Sequence, residues 1–568
     1  MAIQIKKTKQ GVCATYIAQA FTNSLNFQRP NFIKFNEWYR IYRGIRDDSR
    51  QNYAGRANLF IPYVFSVIET IIPRLVGNNI KVEAIPREPN DLKKAKVNNA
   101  LMDYQWDKMN MRAKLKSWLR QAMSYGYGMM KLTWQFKEGE MDMPNAEMID
   151  LFDVFYDPNG TTVDNCRYII HRAERSLEEL KKNPNYTVPK DLDVTVQQDE
   201  YKVQRDAILG LTKPKDKDSK KIEVLEYWGL YDLGEGEEEC LIVVANKNIL
   251  LRAEPNPYQH KRKPFIKLMD IEDISSFAGI GEIEQLASLQ YELNDIRNQR
   301  MDNVTLILNR MWKVNKNAGV DESDLVSQAG QVIHCDDMNG IEPLETQDVT
   351  GSSYNEETLV KSDMQLISGV NDYTRGGGGG TGKGEAGTTN ETATGIMLLQ
   401  EAAASRFKYK LDNLEDSLKE FGEQLLGLNQ QFVDKATKIR IVGEGLSKWI
   451  DVEPEEMQGD FDLEVDAASD QPMNKSIRRA EARELLQAVI PFAQLGIDIK
   501  YFITYLLETY DLTDVEKAFP EQGPGLPGGI PGSGGQIPGA QGAGQVPGMG
   551  GSPIANPGTQ TATSVPIG

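Results

Sequence analysis

Apolar residues recur at helical spacing through residues 31–120, and the stretch NLFIPYVFSVIETIIPRLVG at 58–77 is almost wholly apolar, punctuated by Pro62 and Pro73. Proline removes a backbone donor and crowds the preceding turn, so this pattern predicts a buried helix pair or one helix with a break. In LKSWLRQAMSYGYGMMKLTWQF, 115–136, the helical period gives way at Gly126 and Gly128 to alternation in MMKLTWQF, which predicts helix, turn, strand. Alternation returns in MIDLFDVFYDPNG (148–160), closed by the turn residues Asp157, Pro158, Asn159 and Gly160. KIEVLEYWGLYDL (221–233) and ECLIVVANKNILL (239–251) predict antiparallel strands joined by GEGEE. Residues 183–221 between the strands are polar and charged, which predicts a loop or insertion. Up to about residue 270 the chain reads as an α+β domain.

From Gly281 the texture changes. Ile283, Leu286, Leu289, Leu293, Ile296, Val304, Ile307, Leu308 and Met311 form one apolar stripe, interrupted by Arg300, and the opposite face is polar. A helix of about 30 residues is some 45 Å long, so it must pack on neighbours within the subunit or in an oligomer. Residues 312–345 have strand-like ends around a loop, a second helix is predicted at 355–372, and a third at 391–435, with Asn390 or Thr392 as its cap. Strands are predicted at 437–444 and 460–467, and helices at 474–495 and 497–510. The last 48 residues hold 23 Gly or Pro, one charged residue and no aromatic. Such a tail cannot bury enough apolar surface to offset its chain entropy, and disorder is expected.

Composition narrows the chemistry. Three histidines and four unpaired-looking cysteines in 568 residues leave little material for a His-based active site, a disulfide framework or a zinc site. No run approaches the length of a membrane span and the N-terminus lacks a secretory apolar stretch, so a soluble protein made inside the cell is expected, with no membrane partner. The net charge of −18 argues against tight phosphate binding, although residues 1–60 carry ten Lys/Arg against three Asp/Glu. That basic arm is a solvated segment or a contact for DNA or an acidic partner. The stretch GGGGGTGKGEAGTT (376–389) invites comparison with a nucleotide-binding loop: Gly377, Gly382 and Lys383 fit, but Gly384 stands where a metal-holding hydroxyl is required. The preceding SGVNDYTR is also no buried strand, so a nucleotide-hydrolysing packaging enzyme is the disfavoured alternative. No catalytic residue, metal or cofactor is expected. Tyr125 and Tyr127 are expected to pack, and the acidic GEGEEE to be a solvated hairpin tip.

Five stretches, in order, resemble the portal proteins of tailed bacteriophages over residues 30–515: FNEWYRIYRG with RANLFIPYVFSVIETIIPRLVG; SYGYGMMKLTW; DLFDVFYDP; SSFAGIGEIEQLASLQYELNDIRNQRMDN; and TNETATGIMLLQEAAASRF. The resemblance implies a non-enzymatic α+β portal fold and a ring, usually of twelve copies, at one capsid vertex of the virion, assembled in the host cytoplasm. Double-stranded DNA would pass through its centre. Expected partners are the large terminase, tail adaptor or head-completion proteins, the major capsid protein and a scaffold protein. In family terms 1–280 is the N-terminal part of the wing, 281–311 the stem helix, 312–350 the clip and 351–370 a second stem helix. Residues 371–390 would be the tunnel loop, 391–436 a tunnel-to-wing helix, 437–473 the wing's C-terminal strands, 474–520 a helical crown and 521–568 the tail. The tunnel loop carries Arg375, Gly376, Gly380, Lys383 and Asn390, whose cations would touch passing phosphates or only keep the loop soluble. On the stem, Arg297, Arg300 and Arg310, with Lys313 beyond them, would line the channel or, by preference, pair between subunits. Trp312, Lys313, Val332 and Ile333 would form a motor or adaptor interface in the clip, or its local core.

Overall fold

The computed structural model describes residues 7–46, 56–76, 80–88, 91–136, 142–190, 192, 199–211, 221–234, 236–309, 311–325, 332–345, 350–370, 393–433, 437–443, 446–452, 457–466, 482–487 and 503. Helix α1 (Lys7–Arg43) begins well before the apolar pattern that predicted it. It lays Ile17, Phe21, Phe32, Phe35 and Trp38 into the core, with Phe21 edge-on to Phe155 at 4.5 Å. Helix α2 (Tyr63–Leu75) settles the expected pair or broken helix as one helix: Pro62 precedes it, where a missing N–H breaks no helical bond, and Pro73 falls only in its last turn. Its Val64, Val67, Ile68, Ile71 and Ile72 are fully buried.

Strand β1 (Lys81–Pro86) stands inside a stretch read as helix. It pairs antiparallel with a strand near the other end of the fold, Lys81 opposite Asp466 and Pro86 opposite Phe461, so its stabilising partner is invisible to any local window. Helices α3 (Leu92–Lys108) and α4 (Met111–Tyr125) follow, and the predicted turn is found at Gly126. There φ is +88°, and a Cβ would stand 2.0 Å from the Gly279 carbonyl oxygen, so both backbone conformation and close approach require glycine.

Strand β2 (Tyr127–Gln135) is the centre of a three-stranded antiparallel sheet. Its flanks are β3 (Met143–Met148) and, entered in chain order below, the strand at Phe265–Met269. A second antiparallel sheet runs in sequence order: β4 (Val154–Tyr156), β5 (Tyr168–Ser176), β6 (Lys221–Asp232), β7 (Glu237–Ala245) and β8 (Ile249–Pro255). The GEGEE hairpin joins β6 to β7 as expected, with the Gly234 and Gly236 amides on the Asp232 carboxylate. The run at 239–251, read as one strand, is two, because Asn246 and Lys247 take positive φ (48° and 65°) and turn the chain. The expected loop at 183–221 also holds a helix. After α5 (Leu177–Lys182), α6 (Glu200–Ile208) starts where the Asp199 carboxylate accepts the Tyr201 and Lys202 amides. Strand β9 (Phe265–Met269) closes the smaller sheet. Between the sheets Lys131, on β2, ion-pairs with Glu226, on β6, beside His171; Lys131 and His171 are buried and Glu226 is half-buried. Burial alone would raise the Glu226 carboxyl, but Lys131 and His171 hold it far below the usual range.

Helix α7 (Glu282–Leu308), short strands β10 (Trp312–Val314) and β11 (Ile341–Pro343), and helix α8 (Thr350–Ser368) come next. Then runs α9 (Ala393–Phe432), 40 residues long. The strands predicted at 437–444 and 460–467 exist but are not partners. β12 (Thr437–Gly443) folds back on β13 (Leu446–Val452), which the pattern reading missed, and β14 (Phe461–Asp466) joins β1. Of the expected helices at 474–510, the described residues include helical 482–487 and the single residue 503. The rest of that stretch, and the tail 521–568, lie outside the described residues. The α+β reading stands. Among the described residues no helix is long and apolar enough to cross a membrane.

Candidate functional site: a helical hairpin with a two-stranded tip

Helices α7 and α8 form an antiparallel hairpin whose tip is the β10–β11 pair, Trp312 opposite Pro343 and Val314 opposite Ile341. The hairpin is clamped by one carboxylate. Glu357, on α8, receives Arg297 at 3.2 Å, Arg300 at 2.5 Å and Lys361 at 2.7 Å, and the Arg300 guanidinium lies 4.2 Å over the Tyr354 ring. Burial would raise this carboxyl, yet Lys361 and Arg300 outweigh it and hold it below its ordinary value. Arg300 is the cation expected to line the channel or to pair between subunits. Its side chain is buried and paired inside its own chain, and a buried guanidinium lines no channel. Arg297, on the next turn, shares the same intrachain partner.

The polar face of α7 is buried as well. Gln290, Asn294, Asn298 and Asp302 stand four residues apart and accept the backbone N–H of Tyr63, Ile61, Leu59 and Ala57 at 3.1, 3.0, 2.6 and 2.5 Å. The donors are alternate residues because four helical residues rise about 6 Å, close to the advance of two extended ones. The carboxamides also donate: Asn298 Nδ2 to the Leu59 carbonyl and Gln290 Nε2 to that of Ile61. The Asn298 rung, which accepts from and donates to Leu59, therefore treats the extended segment as a neighbouring strand would. Gln290 Oε1 additionally accepts the Val64 N–H, capping α2 at a terminus where Pro62 offers no side chain to do so.

At its start α7 is tied to α9. Lys410 ion-pairs with Asp270, just past β9, and at 2.8 Å with Glu282, all three side chains buried. Burial alone would lower the Lys410 amine, but the two carboxylates raise it. Higher on α9 the Gln105 and Asn429 amides pair reciprocally at 2.6 and 2.9 Å with no solvent exposure. Sequence reasoning missed all of these residues. The ladder's signal was its strict spacing of four on a face read only as polar; Lys410 gave none beyond a cation inside an apolar phase.

The other expected site residues fall as follows. Trp312 is half-buried and Lys313 exposed on β10, while Val332 is exposed and Ile333 half-buried in the loop between β10 and β11. Arg310 and the loop residues Arg375, Gly376, Gly380, Lys383 and Asn390 lie outside the described residues. Tyr127 is buried among rings, as expected of a packing residue. Among the described residues no group of His, Cys, Asp or Glu could hold a metal ion.

Large apolar side chains face outward on both arms: Leu306, Leu308 (69% exposed) and Met311 on the tip side of the clamp, and Leu359, Leu366 (70%) and Ile367 on its base side. Comparison with known families accounts for a chain built this way. A family model described as phage P22-like portal protein matches residues 18–232, and one described as phage SU10 portal protein matches residues 137–494, more than half of the chain. The chain belongs to the phage SU10 portal protein family, a family of structural rather than enzymatic proteins of the phage capsid.

Proposed function

We propose that copies of this chain, twelve in number, encircle a channel at one capsid vertex through which double-stranded DNA is packaged and later ejected. The observation that carries this reading is the apolar surface left open along the hairpin, which a lone molecule would expose to water and a neighbouring copy would cover. In this reading α7 and α8 are the stem, the β10–β11 tip with Trp312, Lys313, Val332 and Ile333 is the clip, and the two sheets with α1 to α4 are the wing. Residues 371–390 form the tunnel loop, with Arg375 and Lys383 making transient phosphate contacts, and 474–520 form the crown. The clip docks first the large terminase and then tail adaptor or head-completion proteins, while the wing meets the major capsid protein and scaffold during assembly in the host cytoplasm. A charge of −18 per copy suits a conduit, since each phosphate neutralised by a tight binder would add affinity and retard the DNA.

Native mass measurement and end-on particle images test the reading. A closed ring of about twelve copies is expected; a polypeptide that stays monomeric under every assembly condition and is absent from virions overturns it. Deleting residues 376–387 should leave the ring intact and reduce packaging or DNA retention. Loss of assembly instead would make that segment structural.

A further inference from the structure

Helix α9 holds the free edge of β9 much as α7 holds the extended segment before α2, and its ladder lacks one rung. Asn413, Ser417, Gln424 and Gln431 donate to the carbonyls of Asp270, Lys267, Lys263 and Pro257 at 3.1, 3.1, 3.4 and 2.7 Å. Between Ser417 and Gln424 the same helix face carries Glu420, and between Lys267 and Lys263 the strand presents Phe265. In an antiparallel pair only alternate residues point their peptide groups at the partner strand. The Leu132 N–H on the Pro264 carbonyl and the Asp270 N–H on the Gly126 carbonyl set that alternation, so the Phe265 peptide turns away from β2 and toward α9. Phe265 is fully buried, and its carbonyl meets no donor among the described residues.

Donors are short along this whole edge. Ser417 has one O–H for two carbonyls, those of Lys267 and Asn413. Gln424 Nε2 is shared between the Lys263 carbonyl and, at 3.5 Å, Glu420 Oε1, while the buried Gln424 Oε1 accepts from no group among the described residues. Four charged side chains bear on Glu420: Asp164 from the loop before β5, Arg262 from the loop before β9, Lys267 on β9 and Glu423 on α9. Neither cation is spent on it. Arg262 pairs with Glu423 at 2.5 Å, and Lys267 donates to the carbonyls of Thr161 and Phe277.

We propose that Glu420, carrying its proton, is the missing rung: its O–H donates to the Phe265 carbonyl and its other oxygen accepts the Phe265 N–H, as the Asn298 carboxamide does for Leu59. A protonated carboxyl offers one donor and one acceptor, like a carboxamide. On ionisation the donor is lost and a carboxylate is set against a carbonyl, so the rung opens. Burial, and then Asp164, raise this carboxyl to about 7, so the catch is shut below that pH and opens above it. One proton therefore sets how firmly α9 is fastened to the smaller sheet. The device lies within a single subunit and does not depend on the ring reading.

The test uses the unassembled full-length subunit. Infrared difference spectra between about pH 6 and about pH 8 should show a protonated-carboxyl stretch at the lower pH that Glu420→Gln lacks. No such difference between the two proteins overturns the proposal. Amide hydrogen exchange at residues 263–267, corrected for the intrinsic pH dependence of exchange, reads the rung itself. In the wild type, protection should fall about fivefold over the same range, the worth of one hydrogen bond. Glu420→Gln keeps a donor and an acceptor at every pH and should hold the lower-pH protection throughout, whereas Glu420→Leu should stay at the higher-pH level. Flat protection in the wild type overturns the proposal whether or not either variant folds, as does an equal pH dependence in the wild type and Glu420→Gln.

Discussion

The two halves of α7 share one period and opposite surroundings. In the first half Ile283, Leu286 and Leu293 are fully buried, Gln290 and Asn294 grip residues 61–64, and Glu282 is tied to Lys410. In the second half the same stripe arrives at Leu308, which is exposed, and Leu306, on another face, is exposed as well. The first half is largely covered by its own chain, and the end of the second leaves apolar surface open. Amphipathic periodicity thus says that a face will be buried, and nothing about whose atoms bury it.

The largest effect expected of a substitution in this comparison comes from the buried tie. Lys410→Met leaves Asp270 and Glu282 desolvated without a cation, and unfolding of the unassembled subunit in urea should show a loss of about 3–5 kcal/mol. A loss below about 1 kcal/mol would mean that the cluster is solvated or protonated in the folded state.

Next come the two halves themselves. Leu293→Ala should cost about 2–5 kcal/mol in the subunit, whereas Leu306→Ala should stay within about 0.5 kcal/mol there and weaken ring assembly instead. Equal subunit stabilities would erase the distinction on which the interface reading stands.

A smaller effect is expected at the ladder. Asn298→Leu strands the Leu59 N–H and carbonyl, at a cost of about 1–3 kcal/mol, and faster amide exchange should appear at the alternate residues 57, 59 and 61. Asn298→Asp retains the acceptor and should recover part of the loss. Uniform exchange along the segment, rather than every second amide, would count against the rung geometry.

The smallest is a pH effect outside α7. On α9, Glu420 is raised to about 7, first by burial and then by the Asp164 carboxylate. The folded state holds this proton more tightly than the unfolded one, so its contribution to stability is present below the ordinary glutamate range and is lost as pH climbs to about 7. The urea midpoint of the wild-type subunit should fall across that window more steeply than that of Glu420→Gln; parallel curves would show Glu420 to be ordinary.

Local pattern was enough wherever the stabilising partner lay close in sequence. The turn at Gly126, the β6–β7 hairpin, the length of α7 and the two-stranded tip were all legible, because glycine conformation, alternation and helical period act within a few residues. The failures have one cause. β1 needs β14, more than 370 residues on, and Gln290, Asn294 and Asn298 look like a wet helix face until residues 57–63 are laid against them. Arg300, read as a cation available to other subunits, is consumed by Glu357 across the hairpin.

The amino-acid sequence by itself determined the alternation of sheets and long helices, the scarcity of histidine and cysteine, and the portal resemblance that the family comparison bears out. Tertiary structure decided which polar residues are buried in pairs and which apolar ones are left outward. Burial and pairing are properties of atoms brought together across hundreds of residues, and a polar side chain has the same sequence signature whether water or a backbone amide completes its hydrogen bonds.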